Sequence, residues 1–281
     1  MNAVTSLLSQ AEPRKIRLVT AGNQHGPITR LVSPSDLGQW IKPFVFLDAG
    51  VLPSSGPLFR IHPHSGIATL TTVLSGRVAY EDTTGKQGEV PTGGLEWMRA
   101  GGGVWHDGHV LGDSPVEFFQ LWVALPPDQE NGVPESQNIA PEEVPAVGPA
   151  RVLMGHYQGA NSPIRSPEGI TYLHVRLKAG ERWRYEPNPN ETVAWMAMHK
   201  GTTSVPENIT AGDLVIFEEA DHAIDVVAKD EVSFVLGAAV KHPYPLVLGN
   251  YSVHTNARAL AEGEAEIARI GRQLHAAGRL G

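Results

Sequence analysis

The residues best placed to do chemistry are histidines. Residues 62–64 read His-Pro-His, and His106 follows the run AGGGVW at 100–105. In a strand, residues i and i+2 point to the same face, so His62 and His64 can present two imidazoles to one point. A third ligand must come from another strand, and His106 is the natural candidate. The glycines before it allow a tight turn and close backbone approach. Three imidazoles hold a divalent metal while leaving positions open for water or substrate, as a catalytic metal site requires.

Such a site needs short strands to carry it. The chain has 30 glycines and 22 prolines in 281 residues, well above the usual combined share of roughly 12%. Many turns are therefore expected, joining strands rather than long helices. Residues 69–80 (TLTTVLSGRVAY) and 117–125 (EFFQLWVAL) read as strands in the first half. Residues 171–177, 192–198, 213–217 and 232–240 do so in the second. Evenly spaced short strands suggest sandwiches or barrels. Helical spacing appears once, near the C-terminus. Thr255 or Asn256 can cap a run with Leu260, Ile267, Ile270 and Leu274 on one face, and Gly278 ends it.

Residues 126–149 carry six prolines and few large apolar side chains. Proline cannot sit inside a central strand, so this stretch reads as a linker. It divides the chain into an N-terminal part, 1–125, and a C-terminal part, 150–281. The halves share a faint repeat. Gly76, GGLEWM and His106 in the first are echoed by Gly201, AGDLVIF and His222 in the second.

Charge and composition exclude several classes. With 22 Lys and Arg against 30 Asp and Glu, the formal net charge is −8. That argues against direct nucleic-acid binding, which needs clustered basic residues, and against anionic membranes. There is no cysteine, so disulfides, thiolate metal sites and thiol nucleophiles are out. The first twenty residues lack the pattern of a signal peptide. The longest apolar stretches, such as 232–240, are far shorter than the ~20 residues of a spanning helix. A soluble cytoplasmic protein is expected. P-loop, Rossmann, HExxH and GxSxG motifs are absent.

The segment RIHPHSGIATLTTVLSGRVAYEDTTG, then GLEWMRAGGGVWH and FQLWVALP, resembles the pirin family of the cupin superfamily. PFVFLD at 43–48 and KHPYPLVLGNYSVHT at 241–255 fit the same resemblance, which covers most of the chain. It implies an all-β fold of two cupin-type β-barrels packed face to face, here with a C-terminal helix. It also implies one mononuclear metal, usually iron, in the N-terminal barrel. Bacterial pirins suggest flavonol (quercetin) 2,3-dioxygenase activity. Other members act as metal-dependent partners of regulatory proteins or metabolic enzymes. A small aromatic substrate or a protein partner follows for this chain, which is expected to be a monomer. Other divalent metals than iron are compatible with the ligands.

By the same resemblance the ligands would be His62, His64, His106 and a glutamate two residues after the last histidine. Here that triplet reads His106-Asp107-Gly108, so the carboxylate is missing. The acid that many cupins carry after the histidine pair is also absent, since Ala68 stands there. His109 is a possible replacement if a turn brings it inward, whereas Asp107 should face away from His106 in an extended strand. Glu96 is expected to face solvent, though it could reach the pocket as a supporting acid. Trp105, Phe119, Leu121 and Trp122 could line an aromatic pocket, with barrel core as the main expectation. The second half looks emptied of metal chemistry. Counting back from Gly201 as His62 and His64 stand to Gly76 reaches Pro187 and Pro189, and His222 is alone.

Overall fold

The computed structural model describes residues 12–54, 56–205 and 207–280. Most of the stretch screened for a signal peptide, residues 1–11, lies outside the described residues. The chain forms two antiparallel β-barrels, each a large sheet curled over a four-stranded one. In the N-terminal barrel the large sheet has seven strands. Their order is Glu135–Ile139, Leu95–Arg99, Ile67–Ser75, Val116–Ala124, Phe44–Leu52, Ile28–Val32 and Asn23–His25. The small sheet runs Gly56–His64, Val104–Val110, Arg77–Asp82 and Gln87–Pro91. The C-terminal barrel repeats this small sheet with Arg182–Tyr185, Ile224–Ala228, Thr202–Val205 and Glu207–Thr210 in the same order.

Alternation along the strands builds two kinds of interior. In Ile67–Ser75, Ala68, Leu70 and Leu74 face one side and Thr69, Thr71 and Val73 the other. The first set joins Leu47, Trp97 and Leu121 against Met154, Tyr172 and Trp195 of the other barrel. This is the face-to-face packing of the two large sheets. Phe44 meets Trp195 edge-on with ring centroids 5.4 Å apart. The second set faces into the N-terminal barrel.

The division of the chain is less simple than a linker between halves. Residues 126–149 include Glu135–Ile139, which pairs with Leu95–Arg99 on the edge of the first large sheet. They also include Ala146–Val147, on the edge of the second. The prolines at 134, 141, 145 and 149 flank these strands rather than interrupting them, and an edge strand tolerates such neighbours. Ile16–Thr20, from the first part, pairs with Leu214–Phe217 in the second barrel's sheet.

The C-terminal segment returns to the first barrel. A short hairpin, Val247–Leu248 with Val253–His254, leads into the helix Ala257–Ala276. Asn256 is its cap, with Oδ1 accepting from the Ala259 amide at 2.9 Å. Ala259, Gly263, Ile267 and Leu274 are its buried face. Gly263 is needed there, because a Cβ would stand 2.6 Å from Ser65 Oγ and 2.7 Å from His254 Nε2. Gly66 likewise lets the hairpin close in, with φ +74° and Val253 O 2.0 Å from where a Cβ would be. No helix among the described residues is long and apolar enough to cross a membrane.

Candidate metal centre

His62 and His64 end the strand Gly56–His64, and His106 lies opposite His62 in the paired strand Val104–Val110. One ring nitrogen from each falls within 4.8 Å of the others. The backbone fixes which nitrogen two of them offer. His62 Nδ1 lies 2.7 Å from Arg60 O, and His64 Nδ1 lies 3.0 Å from Tyr251 O. A carbonyl can only accept, so both Nδ1 atoms carry the proton and both Nε2 lone pairs are free. His106 Nε2 sits 3.3 Å from His62 Nε2, while His106 Nδ1 is buried without a partner among the described residues.

Burial keeps these rings neutral. His64 is pushed down to about 3, by desolvation first and the neighbouring His62 second. His106 is driven well below the ordinary histidine range by burial and by both neighbours. Burial also lowers His62, against the opposing effect of its bond to Arg60 O. Three neutral imidazoles converging without a counter-charge suit a divalent cation, since no proton must be displaced to bind it. The donor set therefore fits a metal.

The cluster opens into a cavity of about 580 Å³. Phe46 and Trp122 form one wall, stacked with centroids 4.0 Å apart, and Trp122 meets the His64 ring edge-on at 4.7 Å. Phe59 flanks His106 at 4.7 Å, and Phe118 also lines the cavity. The returning segment 248–253 supplies the opposite wall. It is anchored through Ser65, whose Oγ contacts Ser252 Oγ at 2.9 Å and His254 Nε2 at 3.0 Å. Thr255 in turn donates its N–H and its hydroxyl to Glu130, at 2.6 and 2.7 Å.

Away from the histidines the cavity floor is polar. Glu96, Thr71, Gln120, Asp48 and Arg30 stand opposite one another on five successive strands of the large sheet. Thr71 Oγ1 is 2.6 Å from Glu96 Oε2 and 2.8 Å from Gln120 Oε1. Asp48 takes a bidentate ion pair from Arg30. Arg30, Asp48 and Gln120 line the cavity, and Glu96 lies behind them.

Several expectations need correcting. His109 is exposed and has the parity of Trp105 and Asp107, on the outer face of its strand, so it does not join the cluster. Extended geometry, rather than a turn, continues through it. Gly108 shares the inner face with His106 and is buried, and it is not among the positive-φ glycines. Glu96 is buried rather than solvent-facing, at 3% exposure. Desolvation raises it to about 7, partly offset by the Thr71 hydrogen bond and reinforced by Asp82. Of the four candidate pocket residues, Trp122 lines the cavity. Phe119 and Leu121 belong to the inter-barrel core, and Trp105 donates Nε1–H to Ile267 O of the helix at 2.8 Å. Phe118 and Gln120 were legible from Trp122 by strand parity. Tyr251 had no local signal, since its role depends on the returning chain. In the second barrel, Pro187 and Pro189 follow the end of Arg182–Tyr185, and His222 is exposed.

The pirin family model, described as Pirin, matches residues 28–123, the part that holds all three histidines. Human pirin is 27% identical over 211 residues, covering 70% of this chain and 72% of its own. A Pseudomonas aeruginosa protein provisionally named a quercetin 2,3-dioxygenase is 28% identical over 229 residues, 75% of this chain and 79% of its own. Among solved structures, a quercetin 2,3-dioxygenase from Acinetobacter baumannii aligns with a TM-score of 0.84 at 22% identity, over 92% of this chain and 98% of its own. The bacterial pirin YhhW of Escherichia coli, in complex with nickel(II), aligns at 0.64 with 20% identity, over 82% and 99%. The family-model match over residues 28–123, the curated pirin and quercetin 2,3-dioxygenase-like relatives and the shared bicupin fold together support identification of the chain with the pirin family.

Proposed function

We propose that the protein binds one divalent metal, iron in the first instance, through His62, His64 and His106, and acts as a dioxygenase on a flavonol such as quercetin. The observation that carries this reading is three neutral imidazoles turned to one point in the lining of an aromatic-walled cavity. The Pseudomonas relative's name supports the substrate class.

When bound, the metal would supply Lewis acidity toward the flavonol 3-hydroxyl and 4-keto oxygens and a site for dioxygen. The chain's own residues do the rest. His62 and His64 are held in one tautomer by backbone carbonyls, so the ligands are oriented before metal arrives. Trp122 and Phe46, stacked on each other with the Arg30 guanidinium over the other face of Phe46, give the cavity a fixed aromatic wall for a ring to pack against. The 248–253 wall and the hairpin behind it shield the reacting end from water. Arg30 and Gln120 offer hydrogen bonds at the polar floor.

A second reading, a metal-dependent binding protein acting through a protein partner, is favoured by one observation. Gly108 leaves the inner face beside His106 without a carboxylate, so no base stands at the metal. Oxygen uptake on a flavonol panel separates the two readings, with elemental analysis of protein purified without added metal. Uptake that needs the metal and disappears in His106→Ala supports the enzyme. A full complement of metal with no uptake on any flavonol transfers the assignment to the binding protein.

A further inference from the structure

Thr71 has a single hydroxyl proton and stands between two oxygens, Glu96 Oε2 at 2.6 Å and Gln120 Oε1 at 2.8 Å. One proton can bridge only one of these gaps. If Glu96 is ionised, Thr71 must donate to it, and Gln120 must turn its amide to place Nε2–H on Thr71. If Glu96 is a carboxylic acid, it donates to Thr71, Thr71 donates to Gln120 Oε1, and Nε2 is the end left for the cavity. The structure holds the second orientation.

The surroundings favour the acid. Glu96 is almost fully buried, and the charge acting on it from strand Arg77–Asp82 of the small sheet, Asp82, has its own sign. Tyr80 faces it from that strand as well. Across Gln120, both oxygens of Asp48 pair with Arg30, and among the described residues no hydrogen bond joins Asp48 to the Gln120 amide. Burial and Asp82 raise the carboxyl to about 7, so both forms occur within the neutral range.

We propose that Gln120 is the residue that reads a ligand's hydrogen-bond polarity in this cavity, and that Glu96, acting through Thr71, sets which end of the amide the ligand meets. With Glu96 protonated, the cavity offers an N–H donor and selects a carbonyl, phenolate or carboxylate oxygen. With Glu96 ionised, it offers a carbonyl oxygen and selects a hydroxyl. Glu96 is thus a positioning residue and Gln120 the contact. The inference rests on the cavity being the ligand site, as proposed above, and on neither the metal nor the reaction.

The test needs no turnover. In full-length protein supplied with diamagnetic zinc(II), the side-chain amide resonances of Gln120, assigned by their loss in Gln120→Ala, are followed from pH 5.5 to 8.5. They should shift with a midpoint near 7. Glu96→Gln should abolish the shift, because a neutral amide cannot ionise. Thr71→Val should abolish it too while Glu96 still titrates by its carboxyl carbon. A Glu96 midpoint below 5, or an unchanged Gln120 titration in Thr71→Val, overturns the switch. The ligand arm uses flavone, which has a carbonyl and no hydroxyl to ionise. Its affinity should fall about fivefold from pH 6 to 8, the equivalent of about one hydrogen bond, and hold constant in Glu96→Gln. Binding that is indifferent to pH while the amide titrates refutes the reading of Gln120 as the contact. No flavone binding beside a titrating amide refutes the flavonol assignment instead.

Discussion

In the N-terminal barrel the first strand of the small sheet ends on His62 and His64 beside an open cavity. In the C-terminal barrel the matching strand carries Trp183 and Tyr185, which pack with Tyr157 and Phe234 into closed core. Each barrel also buries a glutamate. Glu191 accepts from Thr171 Oγ1 and Tyr185 OH, both at 2.7 Å, and from the Asn188 amide and side chain at 2.9 and 3.1 Å. Glu96 has the single Thr71 hydroxyl, itself shared with Gln120. One frame thus carries a sealed, fully bonded interior and an open, under-bonded one. Under-bonded groups are costly to keep, and this one lies directly behind the cavity floor.

The largest expected effect is on metal. His62→Ala with His64→Ala should lower metal content from about one ion per chain to under about a tenth, since two of three imidazoles are lost. Elemental analysis reads this directly, and His222→Ala serves as the second barrel's control with no change. Two ions per wild-type chain would erase the distinction between the barrels.

Stability should show the reverse asymmetry. Tyr185→Ala opens a hole in closed core and removes a donor from Glu191, for a loss of about 3–5 kcal/mol. Phe59→Ala, at a cavity wall, should cost under about 1 kcal/mol. Urea denaturation that returned similar losses for both would break the comparison.

The under-bonded glutamate predicts a pH dependence. Its folded pKa, about 7, lies above the ordinary value of 4.5. Its contribution is therefore intact below about pH 4.5 and is lost as pH rises to about 7, on the order of 3 kcal/mol in all. Glu96→Gln should flatten that part of the stability–pH curve. A curve identical to wild type between pH 5 and 8 would show that Glu96 is ionised in the folded protein.

A smaller effect is expected from adding the carboxylate that the pirin resemblance implies. Gly108 is extended and faces inward with His106, so Gly108→Glu places a carboxylate beside the imidazoles without a positive-φ penalty. Metal affinity in chelator competition should rise by roughly 10–100-fold. Folded Gly108→Glu protein with unchanged affinity would mean that three histidines already satisfy the ion.

Much of the site was legible because it is local. His-x-His on one strand and a glycine turn before His106 follow from period two and backbone sterics. The helix cap at Asn256 and its stop at Gly278 follow from the same kind of local rule. What was not legible depends on distant chain. Glu96 reads as a surface acid until the small sheet closes over its face with Tyr80 and Asp82, and Tyr251 means nothing until the hairpin folds back over His64. The edge strands hidden among prolines were missed because proline forbids central strands more firmly than marginal ones.

The crossing of the C-terminal segment onto the first barrel has a consequence for synthesis. Residues 247–276 leave the ribosome after every strand of both barrels has been made. A nascent chain at that stage already holds His62, His64 and His106, yet lacks the Tyr251 carbonyl that stops His64 from rotating and the wall that covers it. Metal captured then would sit in a shallow, wet dish. Docking of the last helix, through Gly263 against Ser65 and His254, turns the dish into a chamber. The segment that completes the wall around the three histidines is thus made after every strand of both barrels.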